Sequence, residues 1–397
     1  MAHARGARRV GVVGSGFISR GLVHLLERQA DLKVSRVLTR SDPSRRGDFP
    51  RQDVLTQSVQ DLVDSSDVVV ECSGDPIYAH TVVGRVMQAG LPVVTMDAEF
   101  QVTTGSHFAG RGVITEAEGD QPGCLAALRE DAVQMGFRPL VYGNIKGFLN
   151  YTPCPEEMRY WAQRQGISLD KTVAFTDGTK LQMEQALVGN GLGADIATEG
   201  LMGPATDDLA QAADVLAGYA VRSGLPISDY VLSRRLPPGV FILAEHDKEQ
   251  QPFLKYYKMG DGPHYLLVRE FHLCHLELLK TVRRVLAGGG ALLTNSEVPR
   301  IGVAAVAKRH IESGAVIKRG IGGFDVRGVA VRIAERSDHV PIGLLSGAVA
   351  KHRLDPGELL VFADVDVPES AALNGWQHVR SVALASRGSQ DAAEPTA

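Results

Sequence analysis

The first half of the chain alternates short β-branched runs with stretches in which apolar residues recur every three or four positions. That alternation is the pattern of parallel strands joined by crossover helices. Arg9 to Val13 reads as a strand, and Phe17 to Glu27 as a helix with Leu22, Leu25 and Leu26 inward. Strands follow at Val34 to Leu38 and Asp67 to Cys72. The second is almost continuously apolar, as expected of a strand covered on both faces. A helix from Ile77 to Ala89 and strands at Pro92 to Thr95 and Val113 to Thr115 continue the series. The next helix ends near Met135, with Asp120 suited to its N-cap and Pro122 to its first turn. Leu140 to Tyr142 is then expected to close a doubly wound unit.

Beyond Ile145 the pattern becomes mixed. Glu156 to Gln165 and Lys180 to Gly189 read as helices, and Val240 to Glu245 and Tyr265 to Val268 as strands. His272 to Leu286 reads as a long helix with Leu276, Leu279 and Val282 inward. The last third contains an internal repeat: Ala305 to Ile317 can be laid over Ala348 to Leu360, with glycines Gly314 and Gly357 at the same place. Two copies are too few for a solenoid, so the repeat predicts a compact pseudo-twofold β module. The Ser-, Ala-, Glu- and Pro-containing end from Ser386 is expected to be disordered. The expected division is a doubly wound α/β domain over 1–144, an inserted α+β domain over 145–298, a β module over 299–385 and a tail over 386–397.

Charge and composition narrow the function. The 397 residues carry 42 Lys and Arg against 46 Asp and Glu, so the clustered basic excess of a nucleic-acid protein is missing. No apolar run approaches the roughly 18 residues of a membrane span. Met1 to Arg9 holds three arginines with no apolar stretch behind them and does not read as a signal peptide. Cys72, Cys124, Cys154 and Cys274 are widely spaced without a C-x-x-C. Reduced, mostly buried thiols in a cytoplasmic protein are expected.

The strongest local motif is Val13-Gly14-Ser15-Gly16-Phe17-Ile18-Ser19, between a strand and a helix. In that setting Gly14 makes the tight turn, Gly16 lets a pyrophosphate approach, and the helix start offers N–H donors, with Ser15, Phe17 and Ile18 alongside. The second strand ends in Leu38-Thr39-Arg40-Ser41, with no acid to take a ribose 2′-hydroxyl and with Arg45 and Arg46 following. Thr39 and Arg40 therefore favour NADP over NAD. Ser73 and Gly74, after Cys72, fall where a nicotinamide ribose would lie; Cys72 itself reads as a packed apolar residue.

Lys146, after the last strand of the first unit, and Lys180, in Asp177-Gly178-Thr179-Lys180, are the candidate groups for polarising a carbonyl oxygen. Asp177 or Glu184 would orient them. Lys180 and Glu184 equally fit an ordinary exposed pair four residues apart. His272 and His275 read as partly buried, hydrogen-bonded side chains in preference to a metal pair, and Tyr256 and Tyr257 as core aromatics.

In order, these segments resemble the family of 1-deoxy-D-xylulose 5-phosphate reductoisomerase-like (DRL-like) oxidoreductases, relatives of homoserine dehydrogenase with a C-terminal SAF domain. The resemblance spans about Arg9 to Glu369. It is carried by Gly119-Asp120-Gln121-Pro122, Gly143-Asn144-Ile145-Lys146-Gly147, Thr176-Asp177-Gly178-Thr179-Lys180, Phe253 to Lys258, His272-Leu273-Cys274-His275 and Pro341-Ile342-Gly343-Leu344. It implies an NADPH-binding Rossmann domain, a catalytic and dimerising insert and a SAF-type β-clip. Homoserine dehydrogenases carry T-A-N-K where this chain has Thr95-Met96-Asp97-Ala98-Glu99. The missing lysine argues against that activity, and Glu99 matches an acidic position of the DRL-like family.

The resulting expectation is an enzyme: an NADPH-dependent oxidoreductase reducing a small polyhydroxylated ketone or aldehyde, such as a sugar or sugar phosphate, directly or after rearrangement. The alternatives are a nonenzymatic dinucleotide sensor or carbohydrate-binding SAF protein, and homoserine dehydrogenase itself. A rearrangement would need a divalent cation, for which the sequence shows no clear ligand cluster. The expected partners are a small-molecule substrate and further copies of the chain, as a dimer or tetramer, with neither nucleic acid nor membrane.

Overall fold

The computed structural model describes residues 6–391. The first unit runs β1 (Arg8–Val13), α1 (Phe17–Leu26), β2 (Leu32–Leu38), β3 (Leu55–Thr56), α2 (Val59–Asp64), β4 (Val68–Glu71), α3 (Pro76–Gln88), β5 (Val93–Thr95), α4 (Ala98–Thr104) and β6 (Ile114–Glu116). Its strands form one parallel sheet in the order β3-β2-β1-β4-β5-β6, the doubly wound arrangement the alternation predicts. Strand ends differ from expectation by a residue or two.

The second unit contains α5 (Gln121–Gln134), β7 (Arg138–Lys146), α6 (Pro155–Gln165), α7 (Leu169–Thr176), α8 (Thr179–Leu192), α9 (Leu209–Ser223), β8 (Ile227–Leu232), β9 (Val240–Glu245), α10 (Gln251–Tyr256), β10 (His264–Arg269) and α11 (His275–Leu286). Here the expected boundary is corrected. Leu140 to Tyr142 lie in β7, which pairs in parallel with β8 and antiparallel with β9 in a separate sheet ordered β10-β9-β7-β8. The Rossmann sheet stops at β6, whose open edge is met by the Leu293 carbonyl, accepting from Glu116 N at 2.7 Å.

The long helix is also shorter than expected. It begins at His275, after Cys274 at φ 45°, so His272 and His275 do not share a helix face. Leu276, in its first turn, is exposed. Leu278, Leu279, Val282 and Val285 face inward, against Leu22, Val23 and Leu26 of α1. The second unit thus returns a helix to cover the Rossmann sheet. Tyr256 and Tyr257, expected in the core, are exposed at the end of the short α10, none of whose residues is buried. Cys154 is likewise exposed, whereas Cys124 is buried.

The last unit holds β11 (Ile301–Ala307), β12 (Val316–Ile317), β13 (Val326–Arg332), β14 (Ala348–Ala350), β15 (Val365–Asp366) and α12 (Ala371–Asp391). The repeat is a true pseudo-twofold. Ile311 and Leu354, the same position in the two copies, exchange backbone hydrogen bonds at 3.0 and 2.9 Å. Leu360 N donates to Ala305 O, and Ile317 faces Ala348, the mirror of that pairing. α12 continues to Asp391, into the stretch expected to be disordered: Trp376, Val379 and Ala383 are buried, and their packing carries the helix onward. Residues 392–397 of the expected tail lie outside the described residues. No described helix is long and apolar enough to cross a membrane.

Candidate active site

The dinucleotide turn is built by steric need. Gly14 has φ +97°, and a Cβ there would meet the Cys72 carbonyl oxygen and Ser73 Cα at 3.0 Å. Gly16 opens onto free space and sits at the N-cap of α1 with no side-chain cap, so the first N–H groups of that helix are available to an anion. Phe17 is exposed and Ile18 half-buried beside it. These features fit a bound dinucleotide.

Next to the turn, Ser15 Oγ lies 3.0 Å from Thr39 Oγ1, and Arg46 reaches both the Ser15 hydroxyl at 2.6 Å and the Ser15 carbonyl at 2.8 Å. Arg40 pairs with Asp75 at 2.7 Å and lies over the Tyr78 ring at 4.7 Å. Ser73 N donates to Glu71 Oε1 at 2.8 Å, and a side chain at Gly74 would collide with Lys171 Nζ.

The sheet edge then passes into a buried charged cluster. Lys180, 6 % exposed, places Nζ 2.9 Å from Glu99 Oε2, 3.1 Å from Asp120 Oδ2 and 3.8 Å from Glu184 Oε1. Glu99 also receives Lys171 at 3.1 Å. Asn144 donates to Gln121 and, at 3.3 Å, to Glu184 Oε2. The pair from Lys180 to Glu184 is therefore buried, not exposed. Asp120 does occupy the N-cap of α5, yet its carboxylate serves Lys180 instead of capping.

Asp177 corrects the expectation that it orients a catalytic lysine. It is buried against Lys308, the residue after β11, at 2.8 Å, and Lys308 also donates to the Gly323 carbonyl at 2.5 Å. Neighbouring groups of α8 join the same module: Gly328 N donates to Thr179 Oγ1 at 2.9 Å and Ala330 N to Gln182 Oε1 at 2.7 Å. Lys146 is half-buried at the end of β7, 5.5 Å over the Phe175 ring, and its ammonium makes no hydrogen bond or ion pair to a described residue. Its charge is felt at Glu184.

Burial and charge set the protonation states. Burial opposes the Lys180 ammonium, but Asp120, Glu99 and Glu184 outweigh it and hold the pKa well above the usual lysine value. Burial likewise opposes ionisation of Glu99, and Lys171 and Lys180 reverse this, holding it far below the usual carboxylate range. Glu184 goes the other way, pushed up to about 8 by burial and by the Asp120 charge. Glu116, buried with both carboxyl oxygens unpartnered, and Asp97, with Oδ2 unpartnered, are raised by burial first and by neighbouring carboxylates second. Burial lowers the pKa of Lys146. It raises that of Cys72, which fits a packed thiol and not a nucleophile.

Lys171, Glu116 and Lys308 are not singled out by the sequence. They bear no motif, and only their burial beside opposite or like charge marks them. His272 and His275 are half-buried as expected, but their Nδ1 atoms lack partners, a correction to the hydrogen-bonded reading. Among the described residues no group of three or more His, Cys, Asp or Glu is arranged to hold a metal ion.

Comparisons with known proteins follow the same division. Residues 14–104 match the family model for the NAD-binding domain of homoserine dehydrogenase, and residues 119–278 that for the catalytic domain of oxidoreductase DRL. No curated protein matches the sequence. Among solved structures, a probable dehydrogenase from Thermotoga maritima aligns at 13% identity and TM-score 0.44, over 72% of this chain and 91% of its own. UDP-N-acetylglucosamine 3-dehydrogenase from Acidithiobacillus ferrooxidans aligns at 14% and 0.42, over 73% and 93%. A putative myo-inositol dehydrogenase from Sinorhizobium meliloti 1021 aligns at 11% and 0.39, over 72% and 90%. A glycine turn suited to a nicotinamide dinucleotide, a charged cluster at the adjoining sheet edge and the two successive family matches make the chain a Rossmann oxidoreductase whose second unit matches the DRL catalytic domain.

Proposed function

We propose that this oxidoreductase uses NADPH to reduce the carbonyl of a small polyhydroxylated substrate, a sugar or sugar phosphate, with residues 299–385 forming a SAF-like module behind the catalytic helix. The observation that carries the proposal is Lys180: a buried ammonium held by the Glu99 and Asp120 carboxylates, with the Glu184 carboxyl 3.8 Å away, at the edge where the dinucleotide turn ends. Arg46, with the Ser15 and Thr39 hydroxyls, supports the 2′-phosphate preference, since a guanidinium and two hydroxyls suit a phosphate better than a ribose hydroxyl.

Bound NADPH would supply the hydride for the carbonyl carbon. A carbonyl that gains a hydride develops negative charge on oxygen and then takes a proton. Lys180, kept charged by its carboxylates, is suited to stabilising that charge, as a preorganised cation in a dry site. It is poorly suited to giving the proton, because a raised pKa makes it a reluctant acid. Glu184, protonated up to about pH 8, and Lys146, with its lowered pKa, are the available donors. Glu99 fixes the ammonium from the Rossmann side and is itself held by Lys171 of α7, and Asn144 fixes Glu184.

The test is incubation of the full chain with NADPH and a panel of keto- and aldo-sugars with and without phosphate, following NADPH oxidation. Turnover of at least one compound, with NADPH preferred over NADH, supports the reading. Binding of NADPH without turnover of any compound would favour a dinucleotide sensor, and turnover with homoserine alone would restore the homoserine dehydrogenase reading.

A further inference from the structure

Between the Rossmann edge, α7 and the C-terminal module lies a cavity of about 330 Å³. Ser73, Gly74, Lys171, Lys318, Arg319 and Ser346 are among the residues lining it, with Arg40 and Asp75 at one end and Asp170 alongside. Four basic side chains thus face two acidic ones. Both acids are already engaged, Asp75 by Arg40 at 2.7 Å and Asp170 by Arg319 at 3.0 Å. Lys171 is shared with Glu99. Lys318 is exposed and makes no hydrogen bond or ion pair to a described residue. The surplus positive charge and two serine hydroxyls, that of Ser73 accepting only a long bond from Asp75 N at 3.4 Å, therefore line the cavity.

The seam is built, not incidental. A Cβ at Gly322 would collide with the Asp170 carbonyl, and one at Gly343 with the Thr103 hydroxyl, so the module's two loops press directly on α7 and α4. The cavity also adjoins the dinucleotide turn, because Ser73 is the residue that packs against Gly14.

We propose that this seam cavity is a phosphate subsite, closed by the C-terminal module, with Lys318 and Lys171 as the charged contacts and Ser73 and Ser346 as hydroxyl donors. Lysines and serines of this kind recognise the oxygens of a phosphate group. That group could belong to the dinucleotide or to a phosphorylated substrate; where the dinucleotide lies is taken from the NADPH reading, whereas the charge of the cavity is not. On this account the C-terminal module is part of the ligand site and not an appendage.

Calorimetric titration at low ionic strength with inorganic phosphate, NADPH and NADH tests it, using the full chain, Lys318→Glu and Lys318→Arg. Phosphate binding should weaken about tenfold in Lys318→Glu and recover in Lys318→Arg, the loss expected for one charged hydrogen bond. If the dinucleotide supplies the phosphate, inorganic phosphate competes with it, and Lys318→Glu weakens NADPH and NADH together when the pyrophosphate is held, or NADPH alone when the 2′-phosphate is held. If the substrate supplies it, phosphate binds alongside NADPH and both dinucleotides keep their affinity. Should the parent bind neither dinucleotide while phosphate binding is still lost in Lys318→Glu, the subsite stands and the NADPH reading falls. Phosphate that fails to bind the parent, or that binds Lys318→Glu as tightly, together with unchanged dinucleotide affinities, overturns the proposal.

Discussion

The dinucleotide turn and the lysine cluster share one sheet edge and are assembled in opposite ways. The turn is local: Gly14, Ser15 and Gly16 are consecutive, and its shape follows from a backbone conformation and a tight approach that only glycine allows. The cluster is distributed. Lys180 meets Glu99 across 81 positions and Asp120 across 60, and the three residues come from α8, α4 and the start of α5. The turn faces solvent, where its donors stay hydrated until a ligand arrives, whereas the cluster is dry, so each charge in it depends on its neighbours. Removing one group from the turn should cost binding and little else; removing one from the cluster should cost stability as well as chemistry.

The largest effect expected is therefore in the cluster. Lys180→Met leaves Asp120 without its cation and Glu99 with Lys171 alone, and breaking such a buried pair costs about 3–5 kcal/mol. Chemical denaturation of parent and variant measures it; a loss under about 1 kcal/mol would mean the cluster is far wetter than its burial implies.

Gly14→Val should leave the cluster untouched and weaken NADPH by about two orders of magnitude, since the β-branched side chain can neither adopt the positive φ nor fit against Cys72. Fluorescence titration reads this out. An unchanged affinity would remove the turn from the cofactor site. A smaller and more selective change is expected at Arg46→Glu, about tenfold for NADPH and little for NADH. Equal weakening of both would assign Arg46 to the turn's architecture and not to the 2′-phosphate.

A further effect is one of pH. In the folded chain Glu184 keeps its proton to about 8, against 4.5 as its ordinary value. Between those limits the folded state holds more protons than the unfolded one, so this group's contribution to stability is full below 4.5 and is lost as pH rises through about 8. Glu184→Gln, which mimics the protonated form, should flatten the dependence of Tm on pH across that window. The same slope in parent and variant would show that Glu184 titrates normally.

What could be read from the sequence follows the same contrast. The Rossmann alternation, the glycine turn and the β repeat are periodic or consecutive signals, and the sheet order and the pairing of Ile311 with Leu354 agree with them. Lys180, Glu184 and Glu99 are legible as candidates through motif and family resemblance, but their union is not. An i,i+4 spacing looks the same on an exposed helix as on α8, which is buried on nearly every side. Asp177 escapes a correct assignment because its partner, Lys308, arrives from 131 positions away. The boundary near residue 144 fails because β7 reads as one more strand until its partners β8 and β9 are known.

The central claim is that the buried Lys180 ammonium stabilises charge on a carbonyl oxygen beside the dinucleotide. Single-turnover oxidation of bound NADPH, with whichever carbonyl compound the parent turns over and at a temperature where both chains are folded, tests it directly. Lys180→Met should bind NADPH within about twofold of the parent, the group lying outside the turn, and should oxidise it about 10²–10³-fold more slowly. A variant that is folded, binds NADPH and oxidises it at the parent's rate would contradict the account.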